Sequence, residues 1–261
     1  MAAVVALFAS CDKDEDDIAD EYVEKNESVA FANGNEQLGE GLVQEQKGMY
    51  THNGYGCVDL GLPSGPYWAT CNVGGENPED YGGYYQWGAL STVDNGWLSA
   101  DNFKTRVSAD NEYELDTLFD VATQLWGGNW RTPSIVQHME LQRECYWVWT
   151  DNYNETNVSG YIVYKSKSAE GKGYKVYFGD TPSASYNIAK DAHIFLPAVG
   201  YIWGDEMLNA GIYGYYWSRS CIYNEANVDA CDNFFDIYEV GWIYSSCDAK
   251  HPVRPVCSFI E

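Results

Sequence analysis

From Tyr50 onward the chain interleaves dense aromatic residues with glycine and short β-branched runs, and that pattern limits it to short strands joined by tight turns. Cys57–Leu62 and Tyr67–Val73 read as strands around a Pro-Ser-Gly turn at Pro63 to Gly65. Tyr161–Tyr164 and Tyr174–Phe178 read as a hairpin across a Lys/Gly-rich loop. Later strands are expected at Ile194–Leu196, Tyr215–Ser218, Phe234–Tyr238 and Val253–Phe259. Two segments break this period. Leu115, Leu118, Val121, Ala122 and Leu125 have the spacing of an amphipathic helix, stopped at Gly127-Gly128. A second helix is expected from Thr132-Pro133-Ser134, with Thr132 as N-cap and Pro133 at the first helical position, to about Cys145. Helices followed by many short, mainly antiparallel strands make an α+β domain.

The chain has 261 residues and a net charge of −24, which suits one large domain or two small ones. No second linker appears after Tyr50, so residues 50–261 are read as one domain. The acidic balance argues against nucleic acid, because phosphate contacts need clustered Lys and Arg, and against a basic helix lying on a membrane. Aromatic residues make up 16% of the chain, a level typical of β-rich surface proteins whose rings pack sheets or line binding faces. Beyond the first ten residues no apolar run approaches the ~20 residues that span a bilayer.

Residues 1–10 form a short apolar stretch ending in small residues, the pattern of a signal peptide. Leu7-Phe8-Ala9-Ser10-Cys11 resembles a lipobox, which implies cleavage before Cys11 and lipidation of that residue. Several acyl chains on one residue make a stable anchor. No Lys or Arg precedes the stretch, a departure from the usual pattern. Asp12-Lys13-Asp14-Glu15-Asp16-Asp17 resembles the signal that sends Bacteroidetes lipoproteins to the outer face of the outer membrane. A solvated tether without an addressing role is the alternative. Residues 11–49 are acidic and poor in periodic apolar positions, so a lipidated flexible spacer is expected. The membrane is then met only through the lipid.

Seven segments, in order, resemble the Fibrobacter succinogenes major paralogous domain and its relatives. They are VDLGLPSG (Val58–Gly65), WATCNVG (Trp68–Gly74), PEDYGGYYQWG (Pro78–Gly88), WGGNWRTP (Trp126–Pro133), FLPAVGY (Phe195–Tyr201), NAGIYGYYWS (Asn209–Ser218) and VRPV (Val253–Val256). The resemblance implies a C-type-lectin-like fold. The motifs themselves read as scaffold, with Trp126 and Trp130 covering the sheet and Arg131 and Arg254 pairing with acidic groups in the core.

Some members of this fold are formylglycine-generating oxidases that use a thiol pair. After Cys11 the cysteines are Cys57, Cys71, Cys145, Cys221, Cys231, Cys247 and Cys257, and no pair among them matches that motif. There is no CxxC or Cys/His cluster for zinc, and His52, His138, His193 and His251 are scattered without a catalytic motif. The calcium-dependent sugar-binding signature is missing as well. Glu76-Asn77-Pro78-Glu79-Asp80 has the wrong order, and Gly204 replaces Asn in Trp203-Gly204-Asp205. No catalytic residue, metal or cofactor is expected.

Between Trp217-Ser218 and Val253-Arg254 the sequence departs from its family and lacks strand alternation. Its mixture of Cys, Ile, Tyr, Asp, Ala, Ser and Asn resembles the variable tract of diversity-generating retroelement targets, whose variable positions lie on the ligand face. An ordinary divergent loop region is the alternative. The expected ligand-binding residues are Arg219, Cys221, Ile222, Tyr223, Asn224, Asn227, Asp229, Cys231, Asp232, Asp236, Tyr238, Tyr244, Ser245, Ser246, Cys247, Asp248 and His251. Exposed aromatic residues beside Asn and Asp suit recognition of a protein or glycan at the cell surface. A thiol-dependent oxidase and a pilus-tip or structural component are the readings from other classes.

Overall fold

A computed structural model describes residues 42–46, 48–93, 103–111, 113–164, 192–223 and 228–258. Cys11 and the address segment, Tyr174–Phe178, Asn224 and Asn227 lie outside them. The described part is α+β, with mostly antiparallel strands and two helices.

The largest sheet has six strands in the order β1-β2-β3-β4-β16-β6. They are β1 (Leu42–Gln46), β2 (Met49–His52), β3 (Tyr55–Asp59), β4 (Tyr67–Ala69), β6 (Trp130–Arg131) and β16 (Val256–Cys257). β1 falls inside the expected spacer, and β2 begins before residue 50. A ladder bonds backbone to backbone, so the polar composition of Leu42–Gln46 hid its pairing with Met49–His52. β4 and β16 are shorter than the runs that suggested them. A second sheet, β11-β10-β15-β5, joins β5 (Tyr85–Gln86), β10 (Tyr201–Trp203), β11 (Glu206–Leu208) and β15 (Lys250–His251). A third contains β7 (Tyr146–Thr150), β8 (Gly160–Tyr164) and β9 (His193–Pro197) in sequence order. Tyr161 therefore pairs with Trp149 on one side and Leu196 on the other. The fourth is β12 (Gly214–Tyr223), β13 (Val228–Phe235) and β14 (Val240–Ser246).

The first expected helix is broken in two. Asp116 caps a single 3-10 turn at Thr117–Phe119, and Asp120 caps α1 (Val121–Trp126). Each carboxylate accepts from the next backbone N–H groups and so starts a new element where the periodicity suggested continuation. Leu118 and Leu125 are 67% and 51% exposed, so their spacing does not trace one buried stripe. The second helix, α2 (Ile135–Glu144), is capped by Ser134 rather than Thr132. Ser134 and Gln137 form a reciprocal capping box, while the Thr132 hydroxyl donates to Asp120 at 2.9 Å. Ile135, His138 and Leu141 are the buried face of α2.

The turn between the helices is held from β2. Gly128 has φ +58, and a Cβ there would stand 2.7 Å from His52 Nε2. That nitrogen accepts from Asn129 N–H at 3.2 Å, and the Trp130 indole donates to His52 O at 3.0 Å. Trp126 and Trp130 are buried, and Tyr55 stacks on Trp126 with 3.9 Å between ring centroids. Arg254 is fully buried, but its bonds go to Asn72 Oδ1 at 2.7 Å and to the carbonyls of Ala69, Thr70 and Pro78. It is solvated by amide and carbonyl oxygens instead of the expected carboxylate.

Candidate functional site

The divergent tract 219–251 lacks strand alternation and has only Phe234–Tyr238 expected as a strand, yet it is built largely into the β12-β13-β14 sheet. The register defines two faces. Tyr215↔Phe234, Trp217↔Asp232 and Cys221↔Ala230 share one face with Gly241, Ile243 and Ser245 of β14. Tyr216, Asn233 and Phe235 share the other with Val240, Trp242, Tyr244 and Ser246. The latter face packs under α2, where Gln142 Nε2 donates to Asn233 Oδ1 at 2.6 Å and Gly241 O at 2.7 Å. A register shift between Trp217 and Cys221 re-aims the intervening side chains.

This arrangement divides the expected ligand residues. Cys221, Cys231, Asp232, Cys247 and His251 are at most 2% exposed, so they lie beneath a surface rather than on one. Arg219 is half-buried and fixed by an ion pair to Glu114 at 3.0 Å and bonds to Thr132 O and Gln137 Oε1, which makes it a clamp between elements. Tyr244 lies edge-on to Trp242 at 5.2 Å, on the face that α2 covers. Ile222, Asp229, Ser245, Ser246 and Asp248 are half-buried. Tyr223 ends β12. Asp236 caps the turn after β13 by accepting from Tyr238 N–H and Glu239 N–H, leaving Tyr238 72% exposed.

The first face carries an aromatic cluster at its open end. The Tyr215 ring lies 5.3 Å from Phe234, 5.1 Å from Tyr201 and 5.4 Å from His251. Tyr213 stacks beside Phe234 at 5.6 Å. Tyr201, Tyr213, Tyr215 and Phe234 are all half-buried, so each ring presents part of its surface to solvent. Below them Trp217 stacks on His251 at 4.0 Å, and His251 Nδ1 lies 3.5 Å from Asp232 Oδ2.

Burial governs the chemistry underneath. It raises the Asp232 carboxyl well above its ordinary range, against a smaller opposing effect of the nearby Ser245 hydroxyl. It pushes the His251 imidazole down to about 3, so the ring is neutral at pH 7 and the contact is not an ion pair. Among the described residues no hydrogen bond of ordinary geometry reaches either Asp232 oxygen or His251 Nδ1, and the Ser245 hydroxyl and the Asp232 backbone offset only part of the burial of the carboxyl. Burial also raises the Cys231 and Cys247 thiols well above the usual value. Among the described residues no group of three or more His, Cys, Asp or Glu is placed to hold a metal ion. No described helix is long and apolar enough to cross a membrane.

Sequence reasoning missed Tyr201, Tyr213, Tyr215 and Phe234, because the first three sit in motifs read as scaffold. The alternation Tyr213-Gly214-Tyr215-Tyr216 was the available signal. Tyr215 points to the open face, and Tyr216 into the core. No family model, curated protein or solved structure matches the chain.

Proposed function

We propose that the chain is a lipoprotein, anchored through Cys11 at the outer membrane and displayed on the cell surface. Its domain, of C-type-lectin-like kind, captures a protein or glycan ligand. The observation that carries the binding reading is the half-exposed cluster Tyr201, Tyr213, Tyr215 and Phe234 at one end of the divergent sheet. Aromatic rings held by their neighbours offer large contact area at small entropic cost. The protonated, buried Cys231 and Cys247 also favour binding over thiol oxidation, which needs an accessible thiolate.

The test is binding of the full chain to arrays of glycans and surface proteins. Tyr213→Ala combined with Phe234→Ala is expected to weaken a detected interaction at least tenfold, while circular dichroism stays unchanged. Undiminished binding overturns the assignment of the face. For the variable-tract reading, the locus is sequenced across related strains. Substitutions are expected at Ile222, Asp229, Ser245 and Ser246, with Cys221, Cys231, Asp232, Cys247 and His251 retained. Substitutions spread evenly over the domain overturn it.

A further inference from the structure

The aromatic cluster continues onto the β10–β11 hairpin. Trp203 lies two residues along β10 from Tyr201, on the same face, and is 41% exposed. Ile212, beside Tyr213, is 57% exposed. The hairpin is fixed against β12 through a bridge between Gly200 and Gly214, and Gly200 N–H donates to Tyr213 O at 2.7 Å. At Gly200, with φ +62, a Cβ would stand 2.1 Å from Leu208 O, so only glycine closes this junction. Trp203 and the tyrosines therefore form a built surface.

Its margin is acidic. Trp203 pairs across the hairpin with exposed Glu206, next to exposed Asp205. At the other margin the turn after β13 carries Asp236 and exposed Glu239, with Asp236 close enough to Tyr215 to help raise its hydroxyl pKa. The segments 201–215 and 234–241 contain four acidic residues and no Lys or Arg. Lys250, beneath the hairpin, is 6% exposed and donates to Gly204 O at 3.4 Å. The surface thus presents aromatic faces and carboxylates without a compensating exposed cation from these segments.

Given the ligand-face reading above, we infer that this surface binds a polypeptide segment that carries arginine or lysine beside apolar side chains. A guanidinium gains from tyrosine and tryptophan faces and from the carboxylate margin together, and apolar neighbours cover the remaining ring area. The same margin repels phosphate-bearing nucleic acids and anionic lipids. A neutral glycan can donate hydroxyls to the carboxylates but gains no charge attraction from them. The net charge of −24 adds long-range steering toward a cationic partner.

The experiment uses the full chain and three labelled synthetic twelve-residue peptides, of alternating Arg-Leu, Arg-Ser and Glu-Leu, read by fluorescence anisotropy. The Arg-Leu peptide is expected to bind at least tenfold tighter than the other two and to weaken as salt rises. Trp203→Ala with Tyr213→Ala is expected to remove that advantage. Glu206→Lys with Glu239→Lys, both on the exposed surface, is expected to slow association without altering the circular dichroism. Equal binding of Arg-Leu and Arg-Ser, insensitive to these variants, shows attraction to net charge and overturns the inference. Binding to a glycan that Trp203→Ala and Tyr213→Ala abolish, with no peptide bound, overturns the inference and leaves the ligand face standing. Peptide and glycan binding both indifferent to the variants overturns both.

Discussion

Asp120 and Asp232 are both fully excluded from solvent, yet their surroundings are opposite. Asp120 sits at the junction of α1, β6 and α2 and accepts from Ala122 N–H, Thr123 N–H, Thr132 N–H and the Thr132 hydroxyl. Asp232 sits under the aromatic cluster, where burial outweighs what the Ser245 hydroxyl and the backbone offer its carboxyl. A buried carboxyl with four good donors is part of the scaffold, whereas one with poor donors is costly to ionise and weakens the sheet that holds it. The helical junction is thus well satisfied, while the sheet under the aromatic cluster tolerates a poorly met polar group. Such local imbalance is common at functional sites, where local structure is not optimised for stability alone.

The strongest way to break this contrast is Asp120→Ala. It strands three backbone donors and removes the α1 cap, and should cost roughly 4 kcal/mol, read as a lower denaturation midpoint. At about 2–4 °C per kcal/mol for a domain of this size, the melting temperature falls by ~10 °C. A loss below 1 kcal/mol shows that the junction does not depend on this carboxylate.

Asp232→Asn should act in the other direction and raise the denaturation midpoint at pH 7. The folded carboxyl pKa is raised, so the native state keeps a proton that the unfolded chain releases above the ordinary value of 3.8. That contribution is whole below 3.8 and is lost as pH rises toward the folded pKa, so the advantage of the variant should grow from pH 4 to pH 8. Destabilisation at pH 7 instead reveals a charged Asp232–His251 pair.

The imidazoles have the opposite sign. Burial lowers both His138 and His251 from 6.5 to about 3, so their contribution is present above 6.5 and is lost as pH falls toward 3. Thermal melts should therefore show a declining acid limb, shallower in His138→Gln than in the parent chain. An identical limb removes His138 from the account. The smallest effect belongs to Leu118→Ser, within about 0.5 kcal/mol, because that side chain is 67% exposed.

The sequence disclosed the strands whose apolar residues stand together. Tyr161–Tyr164 and Ile194–Leu196 fall within β8 and β9, and α2 was found because Pro133 and Ser134 mark its start. It hid β13 for a physical reason. Ala230, Cys231, Asp232 and Asn233 are all buried, since one face meets the core and the other meets α2, so no polar alternation survives. The candidate site was half legible. The divergent tract pointed to the β12-β13-β14 sheet, but single-residue types could not tell Cys231, at 2% exposure, from the half-buried Ser245 on the next strand. Tyr201, Tyr213 and Tyr215 came from family-like motifs, where packing and presentation use the same tyrosines.

β16 lies between β4 and β6, and Arg254, just ahead of it, bonds to Ala69, 185 residues away. During synthesis, the middle of the largest sheet must wait for a strand near residue 256. Before then β4 and β6 have no shared neighbour, and the buried carbonyls that Arg254 satisfies have no donor from it. Contacts of such separation are slow to form. A chain of this design gains its full largest sheet only at the last step, when the late strand closes it.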